Sequence, residues 1–201
     1  IKGSFKNTEN FNNTVSLSQD IKGNKKIQID NKIIKKRKDL FGLNNVVVFS
    51  PEEEGITKGT PLFRRNYFDR IFSICSYEYL SSLLLYNKTI KQRNSILKNN
   101  NSLFDKEKEL EIWDKPFCVN GLNLWQKREI FMNSFIDLFL KTVANFDKNL
   151  LLNVKYDLKI KTNKDFSKKI KENKHIDLVK KYTSFGPHKD DVVFLWNNQK
   201  I

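Results

Sequence analysis

Residues 152–160 read LNVKYDLKI, with Leu152, Val154, Tyr156, Leu158 and Ile160 alternating with mostly polar neighbours. Side chains two apart share one face of an extended strand, so this period of two predicts a strand with one buried side. What precedes it has a different period. From Pro61 to Asn149 the apolar residues recur at helical spacing, and Pro61 suits a first helical turn. Leu80, Leu83, Leu84, Ile90 and Leu97 line one face, and Asn99-Asn100-Asn101-Ser102 ends that run. A second face follows from Val119, with Leu122, Trp125, Phe131, Phe135, Leu138, Phe139, Val143 and Phe146.

Strands are also expected at both outer flanks. Lys26–Asp30 alternates around Ile27 and Ile29, and Asp30-Asn31 offers a turn into Ile33-Ile34. Val46–Phe49 is a short apolar run that fits a strand buried on both faces. After the 152–160 strand come a basic helix near 165–181, the loop SFGPHKDD at 184–191, and the apolar run VVFLW at 192–196. Asn197-Asn198 then predicts a hairpin turn. Strands flanking a helical middle define an α/β (α+β) chain that leaves a sheet, forms helices and returns.

The 201 residues are 39% hydrophobic and 12% aromatic, enough apolar surface to exclude a disordered chain. No run approaches the roughly 18 apolar residues of a membrane span, and the two cysteines make no disulfide framework. The expectation is a soluble, cytoplasmic protein in a reducing compartment. Cys75 reads as core. The chain opens on Ile1 and holds a single methionine, Met132, so an internal piece of a longer protein is expected.

Thirty-seven basic residues against 23 acidic ones give a net charge of +14, a balance that favours polyanions. Much of the surplus is lysine, in keeping with a Lys-, Asn-, Ile- and Phe-rich composition. Arginine is distributed differently, because Arg64, Arg65, Arg70, Arg93 and Arg128 all fall within residues 50–154, where bases and acids nearly balance. Arginine's planar fork serves bidentate pairing with phosphate or carboxylate. Arg70 and Arg128 read as helix-surface or interhelical ion pairs. Arg64-Arg65, just after Gly59-Thr60-Pro61, reads as a phosphate-contact candidate.

The loop GPHKDD at 186–191 is the second candidate. His188, Asp190 and Asp191 could supply the mixed nitrogen and oxygen ligands of a metal-dependent phosphoesterase. Equally, the loop is an ordinary approach to a strand, with adjacent aspartates facing opposite ways. No phosphate-cradling GxxxxGK[ST] occurs anywhere in the chain.

Four segments in series carry a family resemblance: VVVFSPEEEGITKGTPLFRRNYFDR (46–70), YLSSLLLYNKTIKQRNSILK (79–98), WDKPFCVNGLNLWQKREI (113–130) and TSFGPHKDD (183–191). Together they resemble the bacterial RecF family of recombinational DNA repair and replication, over most of 41–201. The resemblance implies an ABC-type ATPase head of the SMC and Rad50 kind. It places 1–60 in a sheet-containing lobe I, 61–149 in an inserted helical lobe II, and 150–201 in the return toward lobe I. It implies ATP and Mg2+ as cofactors of the full-length protein and an ATP-dependent homodimer. Double-stranded and gapped DNA, and RecR with RecO, are the implied partners. RecA loading at single-strand/double-strand junctions, within the SOS response to DNA damage, is the implied role.

The family's phosphate-binding loop would lie upstream of Ile1, and its signature and acidic motifs downstream of Ile201. No catalytic or metal-binding residue and no tight nucleotide binding are therefore expected of this chain. Arg64, Arg65, Lys91 and Arg93 are the candidates for DNA or lobe contacts. Gly186, His188, Lys189, Asp190 and Asp191 are candidates for a loop near the nucleotide side. The sequence departs from the family where Glu53 or Glu54 replaces Asp and Lys189 replaces Arg. Two alternatives stand beside this reading: the phosphoesterase built on His188, Asp190 and Asp191, and a non-enzymatic helical interaction module.

Overall fold

Side-chain caps set the bounds of the helices. Thr60 accepts a hydrogen bond from the Phe63 N–H and, with Pro61 behind it, starts α2 (Pro61–Cys75) after the single turn α1 (Gly55–Lys58). Ser76 ends α2 and caps α3 (Tyr77–Lys98) through the Tyr79 N–H. Ser102 caps α4 (Leu103–Phe146), and Thr162 caps α5 (Asn163–Lys180). Each of the last two hydroxyls also donates to the aspartate three residues on, Asp105 or Asp165, at 2.6 Å. The structure, a computed structural model, describes residues 1–6, 12–34, 50–158 and 160–201.

Contacts divide the chain into two compact units, Ile1–Val48 and Phe49–Ile201. The first holds an antiparallel meander of β1 (Lys2–Lys6), β2 (Asn12–Gln19), β3 (Lys25–Ile29) and β4 (Lys32–Ile34). Asp30 and Asn31 take φ of 48° and 66°, the left-handed pair of a tight hairpin turn, and set Ile27 opposite Ile34. The strand expected at Val46–Phe49 lies outside the described residues.

The second unit contains the helices and the antiparallel sheet of β5 (Leu152–Lys155), β6 (Val193–Trp196) and β7 (Gln199–Lys200). Residues 50–60, 61–149 and 150–201 all lie within this second unit. Asn197 and Asn198 form the second left-handed hairpin turn. Its core is aromatic. Phe68 of α2 packs 4.9 Å from Phe135 of α4 and stacks at 6.3 Å on Phe194 of β6, while Trp125 lies 4.7 Å from Phe166 of α5.

Four expectations need correction. The helix expected from Val119 begins at Leu103 and passes through Pro116, giving 44 residues; at about 1.5 Å per residue it is roughly 66 Å long. Leu110, packed on Ile96 and Leu97 of α3, holds its early turns in place. The buried stripe of α3 is Tyr79, Ser82, Tyr86, Thr89, Arg93, Ile96 and Leu97, while Leu84 is exposed. Four of those seven positions are hydroxyl-bearing and one is arginine, so counting aliphatic residues placed the face only in part. β5 stops at Lys155, because Tyr156 turns its hydroxyl to Asp190 instead of continuing the ladder. Cys75, the last residue of α2, is exposed although it continues the stripe of Arg64, Phe68 and Phe72, so the core ends before the helix does.

Candidate functional site

Three arginines on three helices converge on the segment from Thr183 to Asp191. Arg128, on α4 one turn after Trp125, is buried. It donates to Asp190 Oδ2 and the Pro187 carbonyl at 2.9 Å, and to both oxygens of Asp69 at 2.9 and 3.1 Å. Asp190, 2% exposed, also accepts from the Trp125 indole at 2.7 Å and the Tyr156 hydroxyl at 2.8 Å. Tyr79 bridges the Asp69 carboxylate and the Arg128 guanidinium. Burial pushes the Asp190 carboxyl up, and the Arg128 charge opposes it. Burial works against the Arg128 charge too, yet Asp69 and its other neighbours carry its pKa well above the ordinary value.

Arg64 is 4% exposed and grips Asp191 through both carboxylate oxygens at 2.7 and 2.8 Å, while its third nitrogen donates to the Gly59 carbonyl. Although partial burial works the other way, the hydrogen bonds and charge of Arg64 hold Asp191 below the usual carboxylate range. The adjacent aspartates face opposite ways as expected: Asp190 into α4, Asp191 onto α2. Arg93 and Asp177 are each 0% exposed and meet at 2.7 Å. Arg93 also reaches Thr183 at 2.9 Å and Asp114 at 3.1 Å. Asp177 in turn accepts from the Ser184 N–H, and Asn94 from the Thr183 N–H.

His188 completes the set. Its Nε2 lies 2.8 Å from the Thr183 carbonyl, which can only accept, so Nε2 carries the proton and Nδ1 accepts from the Tyr86 hydroxyl at 2.6 Å. Burial pushes this imidazole down from 6.5 to about 4, with Lys189 and Arg65 adding to the shift. Gly186 makes the arrangement possible. Its φ is +141°, and a Cβ there would come 2.7 Å from the Tyr86 hydroxyl oxygen.

This geometry revises several expected roles. Arg64 and Arg93 are buried in ion pairs, so neither presents a guanidinium to a DNA phosphate. Arg65 is half-buried and donates to the Asp190 carbonyl, and Lys91 is exposed on α3. Lys189 is exposed, with its ammonium 4.8 Å from the Tyr182 ring centre. Arg128 pairs between elements as expected, and Arg70 does so with Glu53 at 2.8 Å.

The metal reading is overturned. Both nitrogens of His188 are engaged, and Asp190 and Asp191 neutralise separate arginines. Among the described residues no group of three or more His, Cys, Asp or Glu side chains could hold a metal ion. No glycine-rich GxxxxGK[ST] cradle occurs in the chain to hold a nucleotide triphosphate. Asp69, Tyr79, Tyr86, Asp114, Trp125, Tyr156 and Asp177 were not singled out from sequence. Five arginines in a stretch with balanced charge implied buried carboxylate partners, but nothing in the spacing said which.

No family model matches the sequence. It is 36% identical over 191 residues to the DNA replication and repair protein RecF of Lachnoclostridium phytofermentans, covering 92% of this chain and 52% of that one. It is also 30% identical over 199 residues to RecF of Clostridium tetani, covering 94% and 54%. The solved structure of the recombination mediator protein RecF with ATP, from the RecFOR pathway, superposes with a TM-score of 0.83 at 25% identity, over 99% of this chain and 56% of that chain. The chain is RecF-like. It spans about half the length of the curated RecF relatives it matches. The RecF-like segments 46–70, 79–98, 113–130 and 183–191 supply nearly every member of the three arginine clusters, so the resemblance and the buried charge network coincide. Among the described residues no helix is long and apolar enough to cross a membrane.

Proposed function

We propose that this chain belongs to a cytoplasmic, RecF-like DNA repair and replication protein, an ATP-dependent clamp acting on double-stranded and gapped DNA. On this reading 1–60 belongs to lobe I, 61–149 to lobe II and 150–201 to the return, the whole protein dimerising around ATP and Mg2+. RecR, with RecO, is its partner, and loading of RecA at single-strand/double-strand junctions its role. ATP is held by residues outside this chain, and the chain alone does not hydrolyse it.

The observation that carries the proposal is the coincidence of RecF-like sequence with the network around Arg128. Its physical job is positioning. The loop 183–191 is locked to α2, α3 and α4 by charge-assisted hydrogen bonds, so strand β6 and the helices move as one body. The surface set for DNA is then reduced to exposed or half-exposed cations, of which Arg65 and Lys91 are the ones singled out by sequence.

The test is binding of the full-length protein to a gapped duplex with and without ATP, across a salt series. ATP-enhanced binding whose log affinity falls linearly with log salt is expected. Binding indifferent to ATP, or equal for DNA and an unrelated polyanion, would refute the assignment and favour the interaction-module alternative.

A further inference from the structure

Facing stripes of α2, α3 and α4 enclose a cleft of about 400 Å³. Along α2 the lining residues are spaced by three and four, including Arg65, Asn66 and Ser73; α3 adds Asn87, α4 adds Arg128, and His188 closes one side. Leu83 and Leu124 give it an apolar wall. The stripe of α2 next to it, Arg64, Phe68 and Phe72, packs into the core. The cleft is thus a polar seam between three packed helices.

Its four arginines and four carboxylates balance in sum but are unevenly paired, and Asp69 also lines the cleft. Arg128 is neutralised by Asp69 and Asp190, Arg64 by Asp191 and Arg70 by Glu53. Arg65 has no such partner among the described residues, and its guanidinium donates only to the Asp190 backbone carbonyl. Its pKa is lowered, first by burial and then by the neighbouring Arg128 charge, with Asp190, Asp191 and Asp69 opposing the shift from a distance. A half-buried cation beside another cation is a place where an anion relieves both costs. Neutral donors surround it. Asn66 and Asn87 are exposed, with no side-chain hydrogen bond among the described residues. The Ser73 hydroxyl is shielded from solvent without a partner. His188 is no rival donor, because both its ring nitrogens are committed.

We propose that this cleft binds a phosphate group, with the Arg65 guanidinium as its anchor and the Asn66 and Asn87 carboxamides as further donors. A fork and two carboxamides lining one cleft from α2 and α3 match the many acceptor oxygens of a phosphate better than the two of a carboxylate. The volume leaves room for the group esterified to it. Two sources share this chemistry: a free phosphoanion, and a phosphate of the DNA backbone. Only the second rests on the function proposed above.

Isothermal titration of the full-length protein with inorganic phosphate tests the site, alongside binding to a short duplex across a salt series. Arg65→Gln removes the anchor, and Asn87→Asp sets a carboxylate at the exposed rim without touching the buried network. Saturable phosphate binding is expected, weakened about tenfold or more in each variant by loss of a charge-assisted hydrogen bond or by repulsion. A duplex salt slope smaller by about one in Arg65→Gln identifies a backbone phosphate as the ligand; an unchanged slope identifies a free phosphoanion. The proposal is overturned if the wild type takes up no phosphate, or if Asn87→Asp, folded, binds it as the wild type does. Failure of the protein to bind DNA at all would refute the DNA-repair reading and leave the phosphate result standing.

Discussion

Lowering the pH should destabilise this chain through His188 in a calculable way. The imidazole is held neutral, with Nε2–H donating to the Thr183 carbonyl at 2.8 Å and Nδ1 accepting from Tyr86 at 2.6 Å. Its folded value is about 4 against an ordinary 6.5. Below the ordinary value the unfolded chain takes up a proton that the folded chain refuses. The stability contributed by the neutral ring is therefore present above that value and is lost as the pH falls toward the folded one. Between about pH 7.5 and about pH 5 the two titration curves give a loss of about 2 kcal/mol. Carboxylates also titrate toward the lower end, so the quantity to measure is a double difference: urea stability at both pH values, for the wild type and for His188→Gln. The wild type should lose about 2 kcal/mol more than the variant across this interval. The C2 proton resonance absent from the variant should titrate well below the ordinary histidine range. Equal pH dependence in the two proteins, or an ordinary midpoint for that resonance, would refute the assignment of a buried neutral tautomer.

Three further outcomes follow from the same network. Gly186→Ala should cost about 2–4 kcal/mol, because the added Cβ meets the Tyr86 oxygen at 2.7 Å in a backbone region hostile to side chains; a urea midpoint within error of wild type would contradict this. Arg93→Met should cost about 3–5 kcal/mol, since Asp177 is left with no cation at 0% exposure, whereas a cost below about 1 kcal/mol would mean the pair is neutral for stability. Of the two thiols, Cys75 is exposed and should react with a thiol reagent in the native protein. Cys118, whose thiol is pushed up to about 12 by burial, should react only on unfolding; two fast thiols would contradict the packing of α4.

Local signals reported the elements well. The turn at Asp30-Asn31, the break at residues 99–102, the basic helix and the hairpin at Asn197-Asn198 are dictated by residues within a few positions of one another. Hydrophobic counting was only partly right on α3. Leu97 is buried and Leu83 and Ile90 pack on the core, but Tyr79, Ser82, Tyr86, Thr89 and Arg93 take most of the buried face and Leu84 is exposed. It also failed at Cys75, which is exposed at the C-terminal end of α2 although Ile71 and Phe72 precede it on the same side of the helix. Each failure has one cause: burial is decided by what faces a residue, and sequence shows only what flanks it.

The candidate site divides in the same way. Sequence alone determined that the chain alternates sheet, helix and sheet, that it carries RecF-like segments, and that Arg64, Arg65, Arg93, Arg128 and the GPHKDD loop are chemically unusual in a lysine-rich protein. Only the tertiary structure decided which of those cations are spent. Arg64 meets Asp191 across 127 positions and Arg128 meets Asp190 across 62. These pairings follow from how the helices pack around the return strand, and no local spacing encodes them. Burial then does the rest, because a guanidinium out of water is stable only against a carboxylate. Arg64, Arg93 and Arg128 become the frame, and Arg65, one residue along the same helix, is left to face the cleft.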